Sequence, residues 1–314
     1  MFLKIDKLSQ KYGDNRILND FSLSVEKGEI FGILGATSVG KSTLLRLIAG
    51  LEKTISGNIE FDGKVNLISL NPTTKSWKNI FGTKKEDEFS DTEKLQISIK
   101  RALDENPSLL LLDSPFSNLD EISRDETLGF LRQTVKEKGI TVIFATNNHE
   151  EAFLICDKVG VLVNGTLAQS GTPQEVYEQP NCVAVARSLG RNNLIEAMRL
   201  TFNNQPTPEF QTTIGKHKLH AGKNDRKMLG AFLKPVTLAI RPEHISISFG
   251  ASFPEDNLLK AKVLDVKYQG ATTLVKLDCD SLILEALVLR LVGLNVGEEC
   301  MVGISPDRIL VLKD

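Results

Sequence analysis

The chain is short of cysteine, of any excess of one charge, and of long unbroken hydrophobic runs, and each shortage excludes something. Four cysteines among 314 residues (Cys156, Cys182, Cys279 and Cys300) stand at no metal-binding spacing and suggest no disulfide framework. Free thiols in a reducing cytosol are expected. A formal net charge of −2 steers the chain neither to nucleic acid nor to an anionic membrane. The start, "MFLKIDKLSQ", lacks the apolar core of a signal peptide. The most apolar stretch, "SLILEALVLRLVGL", is broken by Glu285 and Arg290 and does not read as a spanning helix. A cytoplasmic location is therefore expected, and any membrane role must pass through a partner.

What is present is an ordinary globular composition, 41% hydrophobic and 25% charged, in a length that suits two domains. The segment "EIFGILGATSVGKSTLLRLIAG" reads as strand, glycine loop and helix. Glu29 to Leu34 is short and apolar, as a buried parallel strand would be. Leu44, Leu45, Leu47 and Ile48 then predict a helix that stops at Gly50. Between strand and helix, Gly35, Ala36, Thr37, Ser38, Val39, Gly40, Lys41, Ser42 and Thr43 fit the G-x-x-x-x-G-K-[ST] phosphate loop in its proper flanks. Successive N–H groups at a helix start cradle phosphate oxygens. Lys41 supplies a positive charge to the terminal phosphates, and the Ser42 hydroxyl is a ligand for Mg²⁺.

Further phrases, "KYG" at Lys11, "ILNDFSLSVEKGEIFGILG" from Ile17, "LLRLIAGLEKTISGNIEFDG" from Leu44 and "SNLD" at Ser117, resemble the ATP-binding cassette of bacterial importers for sugars, polyamines, sulfate or ferric iron. The resemblance spans nearly the whole chain. It implies that ATP and Mg²⁺ are the cofactors, that Tyr12 stacks on adenine, and that Asp113, ending the leucine strand "LLLLD", is the acidic residue on the metal side. An aromatic packed at a strand end would also account for Tyr12, and a capping aspartate for Asp113.

The chain departs from the family pattern at four positions. The acid expected after Asp113 is Ser114, and a serine hydroxyl cannot take a proton from water near neutral pH. Losing a positioned base typically costs about 10²–10⁴ in rate. In "TVIFATNNHEEA" the switch histidine is replaced by Asn147. His149 lies two positions on, so a register shift could supply it, although "EEA" from Glu150 anchors the alignment against that. The glutamine expected after a strand is Leu70, for which an apolar residue at a strand end is a sufficient account. The family's Leu-Ser-Gly-Gly-Gln signature closes over ATP held by a partner cassette. Here it is "FSDTE", Phe89 to Glu93, where Asp91 and Thr92 crowd the backbone and Asp91 and Glu93 repel a phosphate. Ser-x-x-Glu before Leu95, Ile99, Ala102 and Leu103 reads instead as a capping box opening an amphipathic helix.

Ser90 lies only 55 positions after Gly35, and "TKKEDE" between Gly82 and Phe89 leaves no room for a helix pair. A shortened helical subdomain is expected, with the surface for membrane permease subunits cut down. A homodimer would carry every defect at both sites. Pairing with an intact cassette partner would leave neither site intact.

The remaining patterns complete the first domain. "EISRDETLGFLRQTVKEKG" predicts a helix with Leu128, Leu131 and Val135 inward, closed by Gly139. "ITVIFAT" predicts a buried strand, and "DKVGVLVNGTLAQSG" a hairpin turning at Asn164-Gly165. Residues 1–180 are thus expected to form an α/β P-loop cassette around a mainly parallel sheet. Residues 181–314 show short strands and frequent turns. They resemble the small OB-like (TOBE) β-domain of these importers, most clearly at "AIRPEHISIS" from Ala239. The basic run "GKHKLHAGKNDRKM" from Gly215 has no aromatic to stack on bases, so it reads as a solvated loop and not as a nucleic-acid site.

Two functions remain open on the sequence. One is an ATP-binding subunit of an importer, peripheral to the inner membrane through its partners, that binds Mg-ATP with little or no hydrolysis. The other is a nucleotide-sensing regulatory or scaffold protein no longer coupled to a permease.

Overall fold

A computed structural model describes residues 1–69, 90–201, 207–222, 232–249, 257–289 and 293–312. The chain divides into two compact units, Met1–Glu178 and Gln179–Asp314.

The first unit runs β1 (Leu3–Tyr12), β2 (Asn15–Val25), β3 (Ile30–Leu34), α1 (Lys41–Ile48), β4 (Ser56–Glu60), β5 (Val65–Ser69), α2 (Asp91–Asp104), β6 (Leu109–Asp113), α3 (Glu121–Lys138), β7 (Thr141–Thr146), α4 (His149–Ile155), β8 (Lys158–Val163), β9 (Thr166–Gly171) and α5 (Pro173–Glu178). Its main sheet has the order β5-β6-β7-β3-β8-β9. The pairs β5–β6, β6–β7, β7–β3 and β3–β8 are parallel, and only the hairpin β8–β9, turning at Asn164-Gly165, is antiparallel. The fully buried strands IFGIL, LLLL and TVIFAT form the interior of that sheet, as continuous apolar runs do when helices cover both faces.

A second sheet, β2-β1-β4, is antiparallel and was not anticipated from the sequence. Its inner residues Leu3, Ile5, Leu8, Leu18, Phe21 and Leu23 share one core with Leu44, Leu45, Leu47 and Ile48 of α1. This packing sets the end of β1, where Tyr12 lies, beside the helix that follows the glycine loop.

The helix ends follow their sequence signals. Ser90 and Glu93 form the expected capping box at the start of α2, and Leu95, Ile99 and Leu103 turn inward. Asp120 caps α3 by accepting from the Ser123 N–H, and Gly139 closes it in the left-handed region at φ 65°. Leu128, Leu131 and Val135 are its buried stripe. The chain segment 70–89, which contains Leu70 and the "TKKEDE" linker, lies outside the described residues.

The second unit opens with α6 (Val183–Ser188), followed by β10 (Asn193–Arg199), β11 (Glu209–Thr212), β12 (Lys218–His220), β13 (Pro235–Ile240), β14 (Ile245–Ser248), β15 (Asn257–Tyr268), β16 (Thr272–Cys279), β17 (Leu282–Leu289), β18 (Glu299–Ile304) and β19 (Leu310–Leu312). It contains two five-stranded sheets, β12-β11-β10-β13-β19 and β17-β16-β15-β18-β14. Read together, these orders show two successive halves of one plan that have exchanged their last strands. "AIRPEHISIS" from Ala239 has its counterpart in "GISPDRILVL" from Gly303, and both proline turns are short 3-10 helices.

The halves are tied together by equivalent asparagines. The Asn193 amide donates to Ile240 O (3.2 Å) and Glu285 O (2.8 Å), and its oxygen accepts from Glu285 N (2.7 Å). The Asn257 amide donates to Ile304 O (3.0 Å) and His220 O (2.9 Å), and its oxygen accepts from His220 N (2.6 Å). Each asparagine thus serves its own half and an edge strand of the other. Part of the basic run expected as a loop is therefore the strand β12, anchored at His220. One hydrophobic core, with Phe210, Leu238, Val275, Leu284 and Val302 among its members, lies between the sheets.

Candidate functional site

The carboxyl edge of the parallel sheet gathers the chemistry. Leu34 is level with Thr146, and Asp113 with both Ala145 and Ser69, so the residues that follow β3, β6 and β7 emerge side by side. In open α/β sheets ligands bind at such an edge.

The glycine loop is shaped by close approach. A Cβ at Gly35 would lie 2.7 Å from Leu162 O, and at Gly40, with φ 111°, 2.9 Å from Ile17 Cγ2. Ser38 also takes a positive φ of 64°. Ala36, Thr37 and Ser38 are exposed at the crest, whereas Lys41 and Thr43 are buried below it. Gly40 is the N-cap of α1 and offers its N–H groups no side-chain acceptor, and no acidic residue stands in the first turn. The helix start thus leaves its N–H groups uncapped by any side chain of its own, which suits an anion.

Lys41 folds back over this loop, its ammonium donating to Gly35 O (2.7 Å) and Ala36 O (2.8 Å). Burial pushes its pKa down, and the negative charge of Asp113 pulls it the other way. Ser42 Oγ donates to Asp113 Oδ1 at 3.0 Å. A hydroxyl and a carboxylate converging beside a phosphate loop form a hard oxygen set that fits Mg²⁺, which takes few protein ligands and completes its shell with phosphate and water. Tyr12 closes β1 and is 48% exposed. Its hydroxyl donates to Glu52, a residue that the sequence analysis passed over.

The substituted positions are equally specific. Ser114 has φ 48°, its N–H donates to Ala145 O at 2.8 Å, and its hydroxyl faces the same carbonyl at 3.4 Å. Asn147 is exposed at the end of β7. Asn148 caps α4 by accepting from Glu150 N at 2.9 Å. The His149 ring belongs to α4 and stacks on Tyr177, centroids 6.3 Å apart and 14° from parallel, with Phe153 edge-on at 5.4 Å. A shift of register that would bring His149 to the sheet edge is thus opposed by both the cap and the stack.

Ser90 Oγ accepts from Glu93 N (3.2 Å) and faces Glu93 Oε2 (2.9 Å), so its hydroxyl is engaged within its own helix start. Glu151 is a buried carboxyl missed by the sequence reading. It accepts from Thr146 Oγ1 at 2.7 Å, and burial raises its pKa. No sequence pattern singles out Glu52 or Glu151, because each acquires its setting from a partner supplied by the fold.

The chain matches the family model "ABC transporter" over residues 18–83 and the model "TOBE domain" over residues 238–312. It is 32% identical to the spermidine/putrescine import ATP-binding protein PotA of Protochlamydia amoebophila, in an alignment covering 85% of this chain and 83% of that protein. It is 28% identical to the glucose import ATP-binding protein GlcV of Saccharolobus solfataricus, covering 96% of each. Among solved structures, a nucleotide-free ATP-binding cassette from an ABC transporter superposes with a TM-score of 0.50 at 20% identity, over 60% of this chain and 99% of that one. Its likeness supports the fold alone. A glycine loop at the sheet edge, a β-rich second unit and relatives aligned along most of their length agree: the chain belongs to the ABC transporter family, as an import-type ATP-binding protein with a TOBE domain.

Proposed function

We propose that this chain holds Mg-ATP at Tyr12, the loop Gly35 to Thr43 and Asp113, and splits it very slowly or not at all. The observation that carries this reading is the contrast at the end of β6. Asp113 meets Ser42 at hydrogen-bond distance, while Ser114, the next residue, turns its hydroxyl toward a backbone carbonyl. The first half of that contrast suits gripping a metal-bound triphosphate. The second leaves attacking water without a base.

In this reading residues 1–180 form the ATP-binding part, with a shortened helical subdomain, and residues 181–314 the accessory β-domain. Ser42 and Asp113 would hold Mg²⁺, which supplies charge neutralisation at the phosphates when bound. Lys41 would exchange its bonds to Gly35 O and Ala36 O for phosphate oxygens. Tyr12 would lie against the base.

The relatives' names place them in polyamine and glucose import. By that kinship the chain acts as a cytoplasmic subunit of an importer, paired with itself or another cassette and reaching the membrane through permease subunits. Among the described residues no helix is long and apolar enough to cross a membrane. A titration of the purified chain with Mg-ATP tests the binding half. Saturable binding that weakens at least about tenfold in Lys41→Ala supports it. Binding that is absent, or indifferent to that substitution, contradicts it.

A further inference from the structure

Tyr12 is the last residue of β1, and its only ladder partner is Asn15, across a two-residue turn. Backbone pairing alone leaves a ring so placed free to choose among rotamers. Its hydroxyl meets two side chains, Thr43 in the first turn of α1 and Glu52, 40 positions away. The Tyr12 hydroxyl donates to Glu52 Oε2, and Arg46 Nη1, on the last turn of α1, donates to Glu52 Oε1 at 3.4 Å.

Glu52 is itself held in place by its neighbours. Leu51 N donates to Arg46 O at 2.9 Å, Gln10 Nε2 donates to Lys53 O at 3.2 Å, and Ile55 N donates to Ser9 O at 3.3 Å. The short segment after α1 is thus tied to α1 just before Glu52 and strapped onto β1 just after it. A carboxylate suits this place because each of its oxygens accepts a different donor at once.

We propose that Glu52, backed by Arg46, is a positioning residue for nucleotide recognition: it fixes the Tyr12 ring as a platform for the base without touching the nucleotide. This rests on the function proposed above and adds to it a residue that governs affinity for the base and not for the phosphates. Lost solvation, then the Glu52 acceptor, push the phenol pKa up, so the hydroxyl keeps its proton and the bond persists across neutral pH.

The test compares ATP with inorganic tripolyphosphate, which has phosphates but no base, on the full chain and on Glu52→Ala, Tyr12→Phe and the double variant. Each single variant is expected to weaken ATP binding about three- to tenfold, the range of one hydrogen bond. Tripolyphosphate affinity is expected to stay unchanged, and the double variant to lose no more than either single one. Glu52→Gln, which keeps an acceptor for the phenol, is expected to bind ATP more tightly than Glu52→Ala. Losses that add in the double variant, or that fall equally on tripolyphosphate, overturn the inference while leaving ATP binding intact. Failure of the unaltered chain to bind ATP overturns the function proposed above, a result distinguishable from either.

Discussion

Ser42 Oγ donates to Asp113 Oδ1 across 3.0 Å, joining the first turn of α1 to the end of β6 although 71 residues separate them. In the proposed function the two side chains would have different duties toward Mg²⁺, hydroxyl ligand and negative charge, so removing the charge should uncouple metal from nucleotide. Asp113→Asn is expected to lower Mg-ATP affinity about 10- to 100-fold, the range of a charged hydrogen-bond partner. Affinity for ATP in excess chelator should hardly change. Calorimetric titration with and without Mg²⁺ reads this directly, and a variant that kept the full Mg²⁺ dependence would speak against the assignment.

Ser114→Glu places a carboxylate where the resemblance expects one, yet Leu70, Asn147 and the "FSDTE" run stay as they are. Groups that act as a unit are far from additive. Phosphate release is therefore expected to rise by less than about tenfold, against the 10²–10⁴ that a base typically supplies. A rise of a thousandfold from this single change would show that the other positions matter little.

Glu151 gives a pH dependence whose sign can be worked out. Burial lifts its carboxyl above the ordinary 4.5, while the hydrogen bond from Thr146 and the charge of Arg124 oppose the lift. A carboxyl raised in the folded state gives up its proton first in the unfolded chain. Its contribution to stability is full below about 4.5 and is lost as pH rises through the folded value. Glu151→Gln does not titrate. The stability of this variant relative to the natural chain should therefore improve from pH 4.5 toward pH 7 in urea unfolding. A difference that stayed flat or moved the opposite way would contradict the burial account.

The paired asparagines of the second unit should behave alike. Asn193→Ala and Asn257→Ala each remove three hydrogen bonds, two of which join the two halves. Each is expected to cost about 2–3 kcal/mol, because buried backbone groups lose their partners. Chemical denaturation of the two variants checks it. A large loss in one and none in the other would deny the equivalence of the halves.

Much of the first unit was legible because its signals are local. The glycine loop, the Ser90–Glu93 box, the stop at Gly139 and the Asn164-Gly165 turn are each written within a few residues, and each forms where expected. The antiparallel sheet β2-β1-β4 was not legible, because β1 pairs with β4 across more than forty residues and no short pattern encodes that. The exchanged halves of the second unit escaped for the same reason. "PEHISIS" and "PDRILVL" share few identities, and the repeat becomes visible only through which strand pairs with which. At the site, Lys41 and Ser42 were marked by spacing and Asp113 by its leucine strand and the resemblance. Glu52 carried no mark, since its meaning comes from Tyr12 and Arg46 folding onto it.

The central claim, a grip on Mg-ATP without the means to split it, is tested most directly by phosphate release from the purified chain at saturating Mg-ATP. Typical turnover is about 1–10³ s⁻¹, and the loss of a base alone removes about 10²–10⁴ of that. The account predicts release of about 10⁻² s⁻¹ or slower while bound ATP is still measurable. Release at 1 s⁻¹ or faster would contradict it.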